Sequence, residues 1–230
     1  MCIRDSAYFL AAELLPEIGS DDGSALVAGL VGLGFIVGLA TLVAPGAGAP
    51  APVWLLVLGG GLVVATLNAA GAGPAATPAE AVLYAGAGVL FAATLRTPSL
   101  ALALPVFVAV IDLAALGGGG GTGGPSSEIL ARGATGASDP LALTLPDWGN
   151  GLTAAQVGVV EAVFLGVFGG YAHLYGFRRR ATAAGMLAGL WLVIVLAVIV
   201  DTTVPALPLM AAGYLLPNLD RVRALARSLS

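Results

Sequence analysis

Two carboxylate residues lie inside long apolar runs of the sequence. Asp112 falls within residues 107–116 and Glu161 within residues 157–164. An ionisable side chain at membrane depth is costly, so each is by default a candidate functional residue. Two carboxyl groups held together at low dielectric cannot both ionise, and one of them keeps a proton. The ionised group can deprotonate water while the protonated group donates to a carbonyl oxygen, which is the division of roles that peptide hydrolysis requires.

The composition indicates that these carboxylates belong to a membrane protein. Of the 230 residues, 58% are hydrophobic and only 10% are charged, and the mean hydropathy is +0.98. An ordinary soluble domain carries about 25% charged residues. All nine basic residues are arginine and the net charge is −4. This balance gives no basic patch for nucleic acid and indicates no polybasic lipid-binding segment.

Seven apolar runs predict an all-α bundle of about seven membrane-spanning helices. Their predicted bounds are residues 25–43, 52–69, 79–95, 98–116, 153–175, 181–200 and 204–216. The last run is short and contains two prolines, so we expect its start to be unwound and sheltered by neighbouring helices. Two glycine pairs with GxxxG spacing predict close helix packing, namely Gly34 with Gly38 and Gly185 with Gly189.

Two segments stand apart from the predicted helices. Residues 1–6 match the in-frame translation of a sequencing adaptor, so we exclude them and expect residues 7–116 to continue a longer natural N-terminus. Their exclusion removes Cys2, the single cysteine, and with it any thiol chemistry. Residues 117–152 are rich in Gly, Ser and Pro and predict a flexible aqueous loop between these helices and the C-terminal membrane helices of residues 153–230.

The arginines predict the orientation of the bundle. Alternating the connections between sides places seven arginines on one side and Arg132 on the other. By the positive-inside rule, the arginine-rich side and the C-terminus are cytoplasmic and residues 117–152 face outward. Most carboxylates, including Glu80, fall on the outer side. Asp112 and Glu161 then lie roughly 6 and 12 Å below the outer surface, at depths where the two carboxyls can meet.

Three sequence motifs resemble those of the presenilin and signal-peptide-peptidase family of intramembrane aspartyl proteases. The family's Tyr-Asp motif corresponds to Ile111-Asp112-Leu113, in which the tyrosine is replaced. Its Gly-x-Gly-Asp motif aligns with Gly158-Val159-Val160-Glu161, and its Pro-Ala-Leu motif is intact at Pro205-Ala206-Leu207. The motifs occur in the family's order, and the resemblance extends over residues 98–218. Upstream it rests on the number of spans alone.

This resemblance implies an intramembrane protease of multi-pass topology. The all-Arg, mildly acidic composition favours a microbial source, and we expect a prokaryotic cell membrane as the location. Asp112 and Glu161 would be the catalytic pair, and Gly158, Pro205, Ala206 and Leu207 would shape the substrate site. Family members have nine spans, so the resemblance also implies two missing N-terminal spans. The implied partners are the lipid bilayer and a transmembrane helix or leftover signal peptide as substrate. No metal or organic cofactor is implied.

Two departures from the family pattern leave other functions open. Glu161 stands where the family has its second Asp, and Val160 stands where it has Gly. The extra methylene moves the carboxyl by about 1 Å, and a misplacement of that order can cost ~100-fold in rate. One alternative is an inactive scaffold that holds single helices without cutting them. Another is a proton- or cation-coupled transporter that uses the same carboxylates. A third is that the two carboxylates are unrelated.

A short segment before the fifth run shows a different periodicity. Residues 141–145 alternate leucine with smaller side chains, which is typical of a strand, although a loop with alternating leucines is the simpler interpretation. A strand at this place offers an edge on which an extended substrate can pair.

Overall fold

A computed structural model describes residues 21–70, 73–117, 142–146, 153–200 and 204–229. In these ranges the chain forms apolar helices and one two-stranded antiparallel hairpin. In chain order the elements are α1 (Asp21–Val43), α2 (Pro50–Ala69), α3 (Gly73–Thr94), α4 (Pro98–Gly117), β1 (Ala142–Pro146), β2 (Thr153–Gly158), α5 (Val159–Leu174), α6 (Arg179–Val200), α7 (Ala206–Leu215) and α8 (Leu219–Arg227). Two 3₁₀ turns, Ala44–Ala47 and Leu216–Asn218, follow α1 and α7.

The predicted helical class is confirmed, since each of the seven apolar runs contains a helix. Within the described ranges, four segments are long and apolar enough to span a membrane: Leu26–Ala47, Pro50–Ala69, Ala75–Thr94 and Arg179–Val200. The apolar segments Pro98–Ala114 and Val159–Leu174 are shorter, and α7 has only ten residues. A membrane protein with several spans is compatible with these helices, while the count of about seven spans stays a prediction.

The start of the last run has the backbone that its prolines predict. Pro205 is extended, with φ −66° and ψ 128°, and α7 begins only at the next residue. Neighbouring elements bury Ala206, Leu207 and Met210. The expectation of a non-helical, sheltered start is therefore confirmed.

The fifth run differs from its prediction over six residues. Thr153–Gly158 was expected to begin a helix, but it forms β2 and pairs antiparallel with β1, with Leu143 opposite Val157. The side chains of Leu143, Leu145 and Val157 are fully buried. An apolar run does not distinguish a helix from a strand whose partner comes from elsewhere in the chain. The simpler loop interpretation is thus wrong for Ala142–Pro146, while residues 118–141 and 147–152 of the predicted loop lie outside the described residues.

One of the two predicted glycine contacts is present. Helices α6 and α7 touch backbone to backbone, with Gly185 against the carbonyl of Gly213 and Gly189 against the carbonyl of Leu209. For Gly34 and Gly38 the described part of the chain shows no such contact, since none of its other elements lies within 4 Å of the Cβ position of either glycine. Helix α1 packs through a different face, which carries the buried Leu33, Ile36, Val37 and Ala40.

The helix ends gather into two chemically different regions. At one of them the Arg96 guanidinium donates to the carbonyl of Ala47 at 2.8 Å, and the Tyr171 hydroxyl donates to the carbonyl of Leu95 at 3.1 Å. We call this region the arginine end; its arginines are Arg96, Arg178, Arg179, Arg180, Arg221, Arg223 and Arg227. The opposite region, the carboxylate end, contains the buried Glu80, Asp112 and Glu161. Which end faces the cytoplasm stays a prediction.

Candidate functional site

Asp112 is hydrogen-bonded to the Pro-Ala-Leu segment. It lies five residues before the end of α4, and only 5% of it is exposed. Its Oδ2 accepts a hydrogen bond from the backbone N–H of Leu207 at 3.1 Å. The first N–H groups of a helix have no partner within the helix and carry partial positive charge. The beginning of α7 therefore supplies a donor that complements a buried carboxylate.

Pro205 sets the point at which α7 begins. It precedes the first residue of α7, and its ring fixes φ at the extended entry into the helix. Ala206, the first residue of α7, is fully buried. At its other end, α7 is fastened to α4 again, because the Tyr214 hydroxyl donates to the carbonyl of Ala101 at 3.3 Å. These contacts fix α7 along α4 and hold Leu207 opposite Asp112.

Glu161 lies in the first turn of α5 and is fully buried. Its Oε2 lies against the α-carbon of Gly158, so closely that a Cβ on Gly158 would overlap it. Gly158 is the extended N-cap residue of α5, with φ −63° and ψ 151°, and so precedes the helix that carries Glu161. The contact between Gly158 and the Glu161 carboxyl lies at the turn from β2 into α5. In this arrangement position 158 has no space for a Cβ.

The predicted depth of Glu161 changes with the start of its helix. The expected helix began at residue 153 and placed Glu161 about two turns inside. In the structure α5 begins at Val159, so Glu161 is its third residue, about 3 Å along the axis. The physical reason is the pairing of β2 with β1, which makes the helix start six residues later than expected.

The two carboxylates border one continuous apolar core. Helices α4 and α5 contact each other. Val108, one turn before Asp112, and Ala162, beside Glu161, are both part of this core, together with Leu207. The structure thus joins Asp112 to Leu207 and Glu161 to Gly158, and it places both pairs on elements that share a core.

The sequence did not predict that a third carboxyl group, that of Glu80, is buried. Glu80 was assigned to the outer side, and only 5% of it is exposed. Helix α3 begins at Gly73, six residues before the predicted start at residue 79, so Glu80 lies two turns inside it. Pro74, in the first turn, is the signal that could have marked this start. The amide of Asn68 donates to the Glu80 carboxyl at 3.4 Å.

The arginine end holds a buried polar network of a different kind. The side-chain oxygen of Asn218 accepts from the backbone N–H of Arg178 at 2.8 Å. Its amide nitrogen donates to the hydroxyl of Thr182 at 2.7 Å and to the carbonyl of Tyr214 at 2.8 Å. Asn218 is fully buried, and these three bonds satisfy most of its capacity. They tie the beginning of α6 to the end of α7.

Asp220 and Arg178 form an ion pair beside this network. Both guanidinium nitrogens of Arg178 donate to the Asp220 carboxylate at 2.8 Å, and about half of each side chain is exposed. Desolvation raises the pKa of Asp220, but the backbone N–H of Arg221 and the charge of Arg178 outweigh it and hold this pKa below its usual value. Asp220 lies exposed in the first turn of α8.

No group of three or more His, Cys, Asp or Glu side chains within the described ranges is arranged to hold a metal ion. Comparisons with protein-family models, with curated proteins and with solved structures found no match to this chain.

Proposed function

We propose that this chain is a presenilin-like intramembrane aspartyl protease with Asp112 and Glu161 as its catalytic carboxyl pair. The observation that carries the proposal is the buried hydrogen bond from the Leu207 N–H to Asp112. It joins two motifs, 95 residues apart in sequence, that the family resemblance assigns to one site. A bundle held together by apolar packing alone gives no reason for the helix start at Pro-Ala-Leu to lie against a buried carboxyl.

The contacts suggest different roles for the two carboxyls. A backbone N–H donor complements an ionised carboxylate, so Asp112 is the group we assign to deprotonating the attacking water. Glu161 is fully buried, and we assign it to donating a proton to the scissile carbonyl oxygen. Water adds to the carbonyl carbon and gives one proton to Asp112, and the carbonyl oxygen takes the proton of Glu161, which forms a gem-diol. The proton on Asp112 then goes to the leaving nitrogen as the C–N bond breaks, and a hydroxyl of the gem-diol returns a proton to Glu161 as the new carboxyl group forms.

The hairpin suggests how a helical substrate is opened for this reaction. A peptide bond inside a helix is shielded, so the substrate must become extended before water can attack it. Strand β2 leads directly into the turn that carries Glu161, and an extended segment pairing with the hairpin would lie beside that turn. Leu143→Pro removes a backbone donor from β1 and should lower cleavage, whereas Leu143→Val should preserve it. Equal cleavage by both variants would remove the hairpin from the mechanism.

The decisive experiment is cleavage of a labelled transmembrane peptide by the protein reconstituted into vesicles. Asp112→Asn and Glu161→Gln keep the shape of each side chain and remove its acid–base function, and each should lower cleavage by about 100-fold or more. Glu80→Gln is the matched control, because Glu80 is equally buried but contacts Asn68 rather than the proposed pair. It should leave the rate nearly unchanged.

The remaining outcomes separate the alternatives. Cleavage that survives Asp112→Asn would overturn the proposal. A silent wild type that becomes active in Glu161→Asp would mean a family fold with a disarmed site. If wild type and Glu161→Asp are both silent, a scaffold or transporter is favoured, and proton uptake by the vesicles would identify the transporter.

A further inference from the structure

The arginine end combines exposed positive charge with exposed leucines. Helix α8 runs along this end, and its half-buried Val222 and Leu225 pack against the core. Leu216, Leu219 and Leu229 remain 63%, 41% and 50% exposed. The arginines Arg221, Arg223 and Arg227 are exposed along the same helix. Apolar and cationic surfaces side by side on one short helix are typical of segments that lie in a membrane–water interface.

The positive charge at this end is almost uncompensated by the described part of the chain. Seven arginines lie here, and Asp220 is the carboxylate that the described residues contribute. Arg178 holds that carboxylate with two 2.8 Å bonds, and Arg221 lies 3.8 Å from it. Arg180 follows in the first turn of α6, exposed and two residues from Arg178. The ion pair thus brings the beginning of α6 next to α8. Exposed arginines of both helices surround this ion pair.

Two arginines at this end have other partners and provide a contrast. The guanidinium of Arg96 donates to the backbone carbonyls of Ala93 and Ala47, both at 2.8 Å. That of Arg179 lies 3.4 Å from the carbonyl of Thr41. These contacts hold the two side chains on the protein. Arg180, Arg221 and Arg223 therefore form the group best placed for an external anion, and we call them the outer arginines.

We propose that the outer arginines bind the phosphate of an anionic phospholipid whose acyl chains lie against the exposed leucines of α8 and its flanks. A lipid satisfies both surfaces at once, because its headgroup supplies the anion and its chains cover Leu216 and Leu219. The site is not visible as one run in the sequence, since Arg180 of α6 lies 41 and 43 residues before Arg221 and Arg223 of α8. The proposal does not depend on the protease function.

The test is lipid binding to the purified protein in an uncharged detergent, followed by native mass spectrometry. Phosphatidylglycerol and phosphatidylcholine with identical chains are titrated separately, and soluble glycerol phosphate is titrated as a third ligand. We expect phosphatidylglycerol to bind at least about tenfold more tightly than phosphatidylcholine, because an arginine near an anionic surface contributes about fivefold in affinity. The variant Arg180→Gln, Arg221→Gln, Arg223→Gln should lose most of this preference.

Two variants separate a specific site from general charge. Arg96→Gln removes one positive charge from the same end. Because the Arg96 guanidinium is bonded to backbone carbonyls of the protein, this variant should keep the preference for phosphatidylglycerol. The variant with lysine at all three outer arginines retains the positive charge, so it should keep at least part of the preference for phosphatidylglycerol. Equal binding of the two lipids overturns the proposal, and so does equal loss in Arg96→Gln. Glycerol phosphate binding as tightly as phosphatidylglycerol would mean a site for soluble phosphate rather than lipid, and overturns it as well.

Discussion

The two ends of this bundle handle polar groups in opposite ways. At the arginine end, charged side chains remain exposed, and the buried Asn218 is bonded on both its oxygen and its nitrogen. At the carboxylate end, three carboxyl groups are buried within or beside the apolar core. Satisfied networks make a structure rigid, whereas buried carboxyls are costly and cluster at functional sites. One end is thus held by satisfied polar contacts, whereas the other contains carboxyl groups whose burial costs free energy.

Helix α7 connects the two regions. It begins at the carboxylate end, where Leu207 donates to Asp112, and ends at the arginine end beside Asn218. Between them Tyr214 stacks on Phe168 of α5, with ring centroids 4.9 Å apart. A substitution at one end of α7 can therefore be tested for whether its effect is confined to that end or also reaches the other.

The largest expected effect comes from Gly158→Ala at the carboxylate end. The new Cβ overlaps the Glu161 carboxyl oxygen and displaces it, and a shift of about 1 Å should lower cleavage about 100-fold. The measurement is kcat/KM on the labelled transmembrane peptide. Gly38→Ala, where the Cβ meets open space, is the control and should change little. An unchanged rate in Gly158→Ala would mean that the position of Glu161 does not matter for cleavage.

The next effect is on the packing of α7. Gly189→Val places a branched side chain against the carbonyl of Leu209 and should lower the free energy of unfolding by about 2 kcal/mol. Unfolding is followed by titration with SDS in mixed micelles. Gly34→Val introduces the same side chain at a helical position with free space around it. If both variants lose the same stability, the valine side chain rather than the α6–α7 contact is responsible.

A smaller loss is expected from Asn218→Ala at the arginine end. The substitution leaves the Arg178 N–H and the Thr182 hydroxyl without their buried partner, at a cost of about 1.5 kcal/mol. Asn68→Ala is the counterpart at the carboxylate end, where the amide is exposed and its bond to Glu80 is 3.4 Å long. We expect its effect to stay within about 0.5 kcal/mol. The reverse order in the SDS titration would contradict the assignment of the two ends.

The smallest expected effect is the pH dependence of the stability that the Asp220 ion pair contributes. Because the folded pKa of Asp220 lies below its ordinary value of 3.8, its ion pair contributes stability above about pH 4, and this contribution is lost as the pH falls through the lowered value. Thermal unfolding of wild type and Asp220→Asn should therefore differ slightly at pH 7, and the difference should shrink as the pH is lowered below 3.8. A difference that does not change with pH would point to a contact other than the charge.

Much of the fold follows from local features of the sequence. Apolar runs bounded by Gly, Pro and charge predict helices at all seven places, because helix length and hydrophobicity are local properties. The non-helical entry to α7 was predictable for the same reason, since Pro205 fixes its own backbone. The contact between Asp112 and Leu207 was not predictable from any local feature, and only the family resemblance pointed to it.

The errors arise where a distant partner decides the outcome. Thr153–Gly158 has enough apolar residues for a helix but becomes a strand because β1 pairs with it. Gly34 and Gly38 have the same spacing as Gly185 and Gly189, yet no other element among the described residues lies within 4 Å of their Cβ positions. Glu80 lies two turns inside α3, rather than at its beginning, because α3 begins at Gly73, six residues before its predicted start. Periodicity defines candidate faces, and tertiary packing decides which of them are used.

The shortness of the helices around the candidate site has a consequence for the surrounding lipid. Helices α5 and α7 have 16 and 10 residues, which correspond to about 24 and 15 Å. The hydrocarbon core of a typical bilayer is about 30 Å thick, so neither helix matches it. A bilayer next to short helices thins locally, at a cost of fractions of a kcal/mol per ångström. Acyl-chain length is thus a variable that acts on this site without changing any residue in it.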